Sequence, residues 1–192
     1  MAGHFAELIP EGHSVLDVGC GDGLVGRLIL DRRPDLNIAG VDVLVRPAAQ
    51  LVVTPFDGRR LPFPDGSWDT VLFCDVMHHT EDPVDMLREA VRVARDCIVI
   101  KDHVVRGLLA RPTLRLMDFV GNAPHGVVLP YNFFTTQWHH AFVASGLKPV
   151  DMRTRIQLYP RWANVLFGRL LHLLRGATSF AGRSGDAAAA AW

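Results

Sequence analysis

The chain has 192 residues, 49% of them hydrophobic and 21% charged, a balance that excludes disorder throughout and suits one soluble globular domain with a substantial core. Twenty basic residues stand against twenty acidic ones, so there is no global electrostatic pull toward nucleic acid or an anionic membrane, and a small-molecule partner is expected. Cys20, Cys74 and Cys97 are widely spaced without a C-x-x-C pattern, and no H-x-x-x-H spacing occurs on a helix face. They read as reduced thiols of a cytoplasmic protein, with no metal site. The first residues lack the basic and apolar regions of a signal peptide, and no run is long enough for an integral membrane segment.

In chain order, a short helical turn over residues 5–9 is broken by Pro10-Glu11-Gly12. The apolar run Val15, Leu16 and Val18 then leads into glycines at alternate positions, Gly19, Gly21 and Gly23, and a helical pattern follows from Leu24 to Leu30. This is strand, tight turn, helix. The glycines allow positive φ and close ligand approach, and the helix start offers unpaired N–H groups. A dinucleotide fold would carry G-x-G-x-x-G, but Leu24 occupies the place of the third glycine. The carboxylate of Asp17 beside the turn suits a cationic ligand and would repel a pyrophosphate.

The stretch Leu16-Asp17-Val18-Gly19-Cys20-Gly21-Asp22-Gly23 resembles the first motif of the class I S-adenosylmethionine (SAM) dependent methyltransferases. That resemblance implies SAM as cofactor, held around Asp17, Gly19, Cys20, Gly21 and Gly23. It also implies a doubly wound, mostly parallel, seven-stranded α/β sheet with helices on both faces. Family members commonly place a helical lid before the first strand, and the short leading segment here departs from that pattern.

Residues 37–43 read as a second strand with Asp42 at its end, where doubly wound folds put an acid that accepts hydrogen bonds from ribose hydroxyls. Val43 lies beside it. Residues 51–58 read as a third strand ending in another acid. By the resemblance, Asp57 is the residue that hydrogen-bonds the adenine amino group, with Gly58 or Arg59 adjacent. The connector Leu61-Pro62-Phe63 followed by Asp65-Gly66-Ser67-Trp68-Asp69 is similar to the wording of the type 11, ubiquinone-biosynthesis-like branch that acts on small molecules.

The nearly continuous apolar run 70–77 suits a central strand covered on both faces, ending at Asp75 and the pair His78-His79. A helix is expected from Val84 to Arg95, begun by Glu81-Asp82-Pro83, and a fifth strand over 97–103. Five βα-type units commit the fold to a doubly wound parallel sheet, whose ligands bind outside the strands' carboxyl ends. Asp17 to Gly23, Asp42, Asp57, Asp75 to His79 and Lys101 to His103 all belong to those ends.

The less regular segment of about 104–134 is the expected lid-like insertion, with His125 and Tyr131 as its reactive side chains. A helix over 137–145 and a strand within 147–158 follow. For the last strand, residues 167–174 are favoured because the sheet edge needs covering. The rival for the same apolar run is an amphipathic interfacial helix, and residues 165–174 also offer a homodimer contact. The domain is expected to span 1–176, leaving 177–192 as a flexible tail of small residues.

SAM carries its own activated methyl, so an enzyme need mainly align the acceptor and exclude water, adding a base only where the acceptor atom holds a proton. His79 and His78 rank first as that base, ahead of His103 and of His125 and Tyr131 in the insertion. The leading expectation is methyl transfer to a small molecule. The alternatives are a SAM-utilising enzyme of another reaction type, such as intramolecular displacement within SAM, and a catalytically silent SAM-fold partner subunit. A nicotinamide oxidoreductase ranks last because of Leu24 and Asp17.

Overall fold

Alternation of side chains along the central strands decides how the sheet is covered. In the computed structural model, which describes residues 1–105, 137–147, 149–154 and 177–184 with the isolated positions 112, 115 and 119, consecutive residues of the central strands are buried on opposite faces. Leu16 and Val18 of β1 (Ser14–Val18), Val71 and Phe73 of β4 (Trp68–Cys74), and Ile98 and Ile100 of β5 (Ala94–Val105) pack on one side. Their partners are Met86, Leu87, Ala90 and Val93 of α3 (Pro83–Val93), and Ala141 and Phe142 of α4 (Gln137–Ser145). Val15, Leu72, Cys97 and Val99 face the other way, against Phe5 and Leu8 of α1 (Ala2–Leu8) and Ile29 of α2 (Leu24–Leu30). Two cores on one sheet require strands apolar on both faces, which is why these runs are nearly continuous.

Among the described residues the sheet has seven strands in the order β3-β2-β1-β4-β5-β7-β6, where β2 is Asn37–Asp42, β3 Val53–Pro55, β6 Pro149–Thr154 and β7 Ala177–Ser184. The first five pair in parallel, and β7 runs antiparallel to both β5 and β6. From β1 the chain moves outward to β2 and β3, then returns to place β4 on the other side of β1. The crevice outside the carboxyl ends of β1 and β4 is therefore the topological switch point.

Two expectations shift. The third strand is shorter than residues 51–58, because Pro55 cannot donate to a ladder and ends the pairing of an edge strand. Among the described residues the final strand lies at 177–184, in the stretch expected to be a small-residue tail. The unpaired edge of the 12-residue β5 supplies the reason, since β7 pairs along it from Ile98 to Val105. Small residues understate strand formation where an edge must be filled. The insertion 106–134 apart from positions 112, 115 and 119, and the run 165–174, lie outside the described residues.

Glu89 and Arg92 of α3 anchor the 61–66 connector. Glu89 accepts from the Leu61 amide at 3.0 Å, and Arg92 donates to the Phe63 and Leu61 carbonyls at 2.8 and 3.0 Å. The Arg92 carbonyl in turn accepts from the Gly66 amide at 2.8 Å. Asp82 caps α3 through the Val84 and Asp85 amides, with Pro83 in the first turn. No described helix is long and apolar enough to cross a membrane.

Candidate active site

The turn after β1 forms as its glycines dictate: Gly19, Gly21 and Gly23 have φ of 69°, 60° and 76°. A Cβ on Gly19 would lie 2.6 Å from Cγ2 of Val76, so this position combines left-handed backbone with contact to the segment after β4. The turn is tied to β2 through the Val41 carbonyl, which accepts from the Gly19 and Cys20 amides at 2.8 and 3.2 Å. Asp42 binds it more directly. One carboxylate oxygen accepts from the Gly21 amide at 2.8 Å and the other from the Leu44 amide at 2.8 Å.

Asp17 is 1% exposed, and its Oδ2 is buried with no hydrogen-bond partner. Burial, reinforced by the charge of Asp42, pushes its carboxyl up to about 7. The Cys20 thiol is pushed up to about 12, first by burial and then by Asp17 and Asp42, which keeps it protonated. Two glycines outside the turn make room for this cluster. A Cβ on Gly26 would sit 3.3 Å from Asp17 Oδ2, and one on Gly40 would sit 2.3 Å from Cys20 Sγ.

Asp57 follows β3 and is exposed. Its Oδ1 accepts from the Arg59 and Arg60 amides at 2.8 Å each, and these bonds hold its carboxyl below the ordinary carboxylate range. It is one wall of an open hollow of about 510 Å³ that includes Phe56, Arg60, Leu61 and Phe63. Gly58 touches Val43 closely enough that a Cβ on the glycine would lie 3.2 Å from Val43 Cγ1. The ends of β1, β2 and β3 thus bring Asp17, Cys20, Gly21 and Asp42 into one cluster, with Val43, Asp57 and Gly58 on its outer rim.

On the other side of the switch point, Asp75 is the one described non-glycine residue with positive φ, at 58°. Its amide donates to the Lys101 carbonyl at 2.8 Å, and its carboxylate pairs with the Lys101 ammonium, whose side chain is 1% exposed. A non-glycine residue held there costs on the order of 1 kcal/mol and persists only where its surroundings enforce it. The next residue of β5 enforces the following turn in the same way. Asp102, fully buried, accepts from the His78 ring Nδ1 at 2.6 Å and from the His78 amide at 3.3 Å.

His78 is thereby fixed and 3% exposed. His79 is half-buried, its ring against that of His78 with centroids 4.1 Å apart and planes tilted by 41°. The two adjacent histidines therefore differ in access. Asp102 and Lys101 organise this half of the crevice; the sequence places them at a strand's carboxyl end without giving them a role. Their signal is a charged pair directly after the apolar run Ile98-Val99-Ile100. Arg46, whose guanidinium lies over Gly21, was not singled out by sequence. His125 and Tyr131 lie outside the described residues, and His103 is described in its backbone alone.

Comparison with known proteins agrees with this geometry. Residues 16–97 match the family described as methyltransferase domain, type 11. A 2-methyl-6-phytyl-1,4-hydroquinone methyltransferase of Synechocystis is 34% identical over 99 residues, covering 46% of this chain and 31% of that protein. The chain spans about a third of the length of such curated relatives. Among solved structures, the geranyl diphosphate C-methyltransferase of Streptomyces coelicolor, crystallised with S-adenosyl-L-homocysteine, superposes with a TM-score of 0.72 at 12% identity, covering 96% of this chain and 77% of that one. The cyclase SpnF superposes with a TM-score of 0.69 at 15% identity, over 96% and 79% of the two chains.

Proposed function

Because residues 16–97 match the methyltransferase domain family and curated relatives are methyltransferases, we propose that the chain is a class I SAM-dependent methyltransferase that transfers a methyl group from SAM to a small-molecule acceptor. The observation that carries this reading is the buried Asp17 oxygen without a partner beneath a left-handed glycine turn. A buried carboxylate with an open acceptor site fits a cationic ligand and rejects a pyrophosphate. When bound, SAM supplies the activated methyl on a sulfonium.

In this reading Asp17 faces the cationic part of the cofactor, and Gly19, Cys20, Gly21 and Gly23 form its cradle. Asp42 takes the ribose hydroxyls; a carboxylate has about four lone-pair sites, so its two backbone bonds leave capacity. Asp57 takes the adenine amino group beside the hollow it lines, with Val43 and Gly58 against the base. Asp75, held by Lys101, closes the rim at the end of β4. His79, the more accessible of the pair, accepts a proton where the acceptor atom carries one, and His78 holds it in place through the contact of their rings. His125 and Tyr131 would approach from the insertion. The three cysteines are free thiols, in keeping with a cytoplasmic location, and the apolar run 165–174 offers the contact of a homodimer.

A second reading, another reaction type on the same SAM site, draws support from the cyclase SpnF among the structures sharing this fold. A catalytically silent SAM-fold partner is the remaining alternative. Calorimetry is expected to show S-adenosylhomocysteine binding at micromolar affinity or better and no detectable binding of NAD; the reverse ranking rejects the leading reading. Incubation with SAM alone followed by mass spectrometry then separates intramolecular displacement from the other two readings, because it consumes SAM without any acceptor and they do not.

A further inference from the structure

At the amino-terminal edge of the sheet, opposite the crevice, three side chains of different ligand chemistry converge. His13 precedes β1, and Asp96 and Cys97 belong to β5; one ligand atom from each lies within 4.8 Å of the other two. Strand register brings this about. Val15 pairs with Thr70 of β4, and Thr70 pairs with Cys97, so residues remote in sequence meet across three adjacent strands.

Thr70 sits at the centre, its Oγ1 2.9 Å from His13 Nδ1 and 3.2 Å from Cys97 Sγ. His13 Nε2 is 3.7 Å from Asp96 Oδ2. The backbone beside His13 is fixed: Ser14 donates its amide and hydroxyl to Asp69 at 3.0 and 2.6 Å, and the His13 carbonyl accepts from the Asn37 amide at 3.2 Å. Burial is graded from floor to mouth. Cys97 is 1% exposed, and the side chains of His13 and Asp96 are 18% and 39% exposed.

We propose that His13, Asp96 and Cys97 bind a divalent transition-metal ion, Zn²⁺ first, independently of the cofactor crevice. A thiolate with an imidazole and a carboxylate suits borderline-soft ions and disfavours Mg²⁺ and Ca²⁺, which prefer oxygen. Bonds of about 2.0–2.3 Å in a tetrahedron place ligand atoms about 3.3–3.8 Å apart, so side-chain shifts of about an ångström close the site. On binding, the Cys97 thiol releases its proton to solvent and its sulfur lone pair forms the metal bond. The fourth position faces the solvent-exposed mouth, and the Thr70 hydroxyl remains as an outer partner that orients the ligands. The ion would bridge the start of β1 to β5 across β4. No local spacing announces such a site, because its ligands come from opposite ends of the parallel core.

The test uses the full chain, stripped of metal by a chelator and titrated with Co²⁺. We expect one equivalent to give a tetrahedral visible spectrum with a sulfur-to-cobalt charge-transfer band, displaced by Zn²⁺, and a rise in thermal midpoint with Zn²⁺. Asp96→Asn, at the exposed mouth, is expected to weaken Co²⁺ binding about tenfold or more. Cys97→Ser is expected to abolish the charge-transfer band. Absence of a stoichiometric spectrum, a spectrum without the sulfur band, or equal binding in Asp96→Asn overturns the proposal. Should Cys97→Ser fail to fold, the band in the unmodified chain and the Asp96→Asn titration decide it together.

Discussion

At the amino-terminal edge of the sheet, Asp69 accepts from both the amide and the hydroxyl of Ser14 and pairs with Arg95, and these bonds hold its carboxyl below the usual range. At the carboxyl-terminal edge, Asp17 is buried with one oxygen unpartnered, and its carboxyl is pushed the other way, up to about 7. Both aspartates belong to central strands of the same sheet. Asp69 contributes to stability through satisfied bonds, whereas Asp17 lowers the stability of the ligand-free protein as it ionises. In the proposed function a cationic ligand completes the unsatisfied carboxylate of Asp17.

The sharpest way to break this contrast is Asp42→Ala. It removes the acceptor of the Gly21 and Leu44 amides and is expected to lower S-adenosylhomocysteine affinity on the order of a hundredfold, with the far-UV circular dichroism retained. Unchanged affinity by calorimetry would take Asp42 out of the site.

Asp17→Asn sharpens the comparison through pH. Burial first, and the charge of Asp42 second, raise this carboxyl in the folded state. Its stabilising contribution is complete below the ordinary carboxylate value and is lost as pH rises toward about 7. The ligand-free protein should therefore lose thermal stability across that window, and the asparagine variant should show a flatter profile. Scanning calorimetry from pH 4 to pH 8, a range set by about 4 for an ordinary carboxylate and the raised value, reads the difference.

At the opposite edge, Asp69→Ala is expected to cost about 1–3 kcal/mol in urea unfolding while leaving cofactor affinity unchanged, because it strips acceptors from Ser14 and Arg95 far from the crevice. Arg59→Ala comes last. Arg59 and Glu81 are 78% and 79% exposed, so losing their ion pair should change stability by about 0.5 kcal/mol or less. A larger loss in the same urea titration would mean that rim charges maintain the crevice.

The parallel core was legible because its signals are local and agree with one another: an apolar run, three alternating glycines, then a helical period. The acids at the ends of β1, β2 and β3 follow from that same topology. Their relations do not. That Asp42 holds the Gly21 amide, and that Asp17 lies under α2 where Gly26 leaves space, depends on register between strands and on helix packing. Topology places Lys101 and Asp102 at the crevice end of the fifth strand, but only the structure shows them pairing with Asp75 and His78. The strand at 177–184 escaped because its residues are small, whereas an open edge selects by hydrogen bonding.

Gly40 sits in the middle of β2 with no turn to make, yet a methyl group there would occupy the space of the Cys20 sulfur, 2.3 Å away. What this position contributes is a void, and its shape is the mould against which the loop after β1 is cast. Any bulk introduced from either side, by replacing the glycine or by alkylating the sulfur, would displace the loop that carries the Gly21 amide, so a lesion in a strand's interior would surface as a defect in ligand recognition.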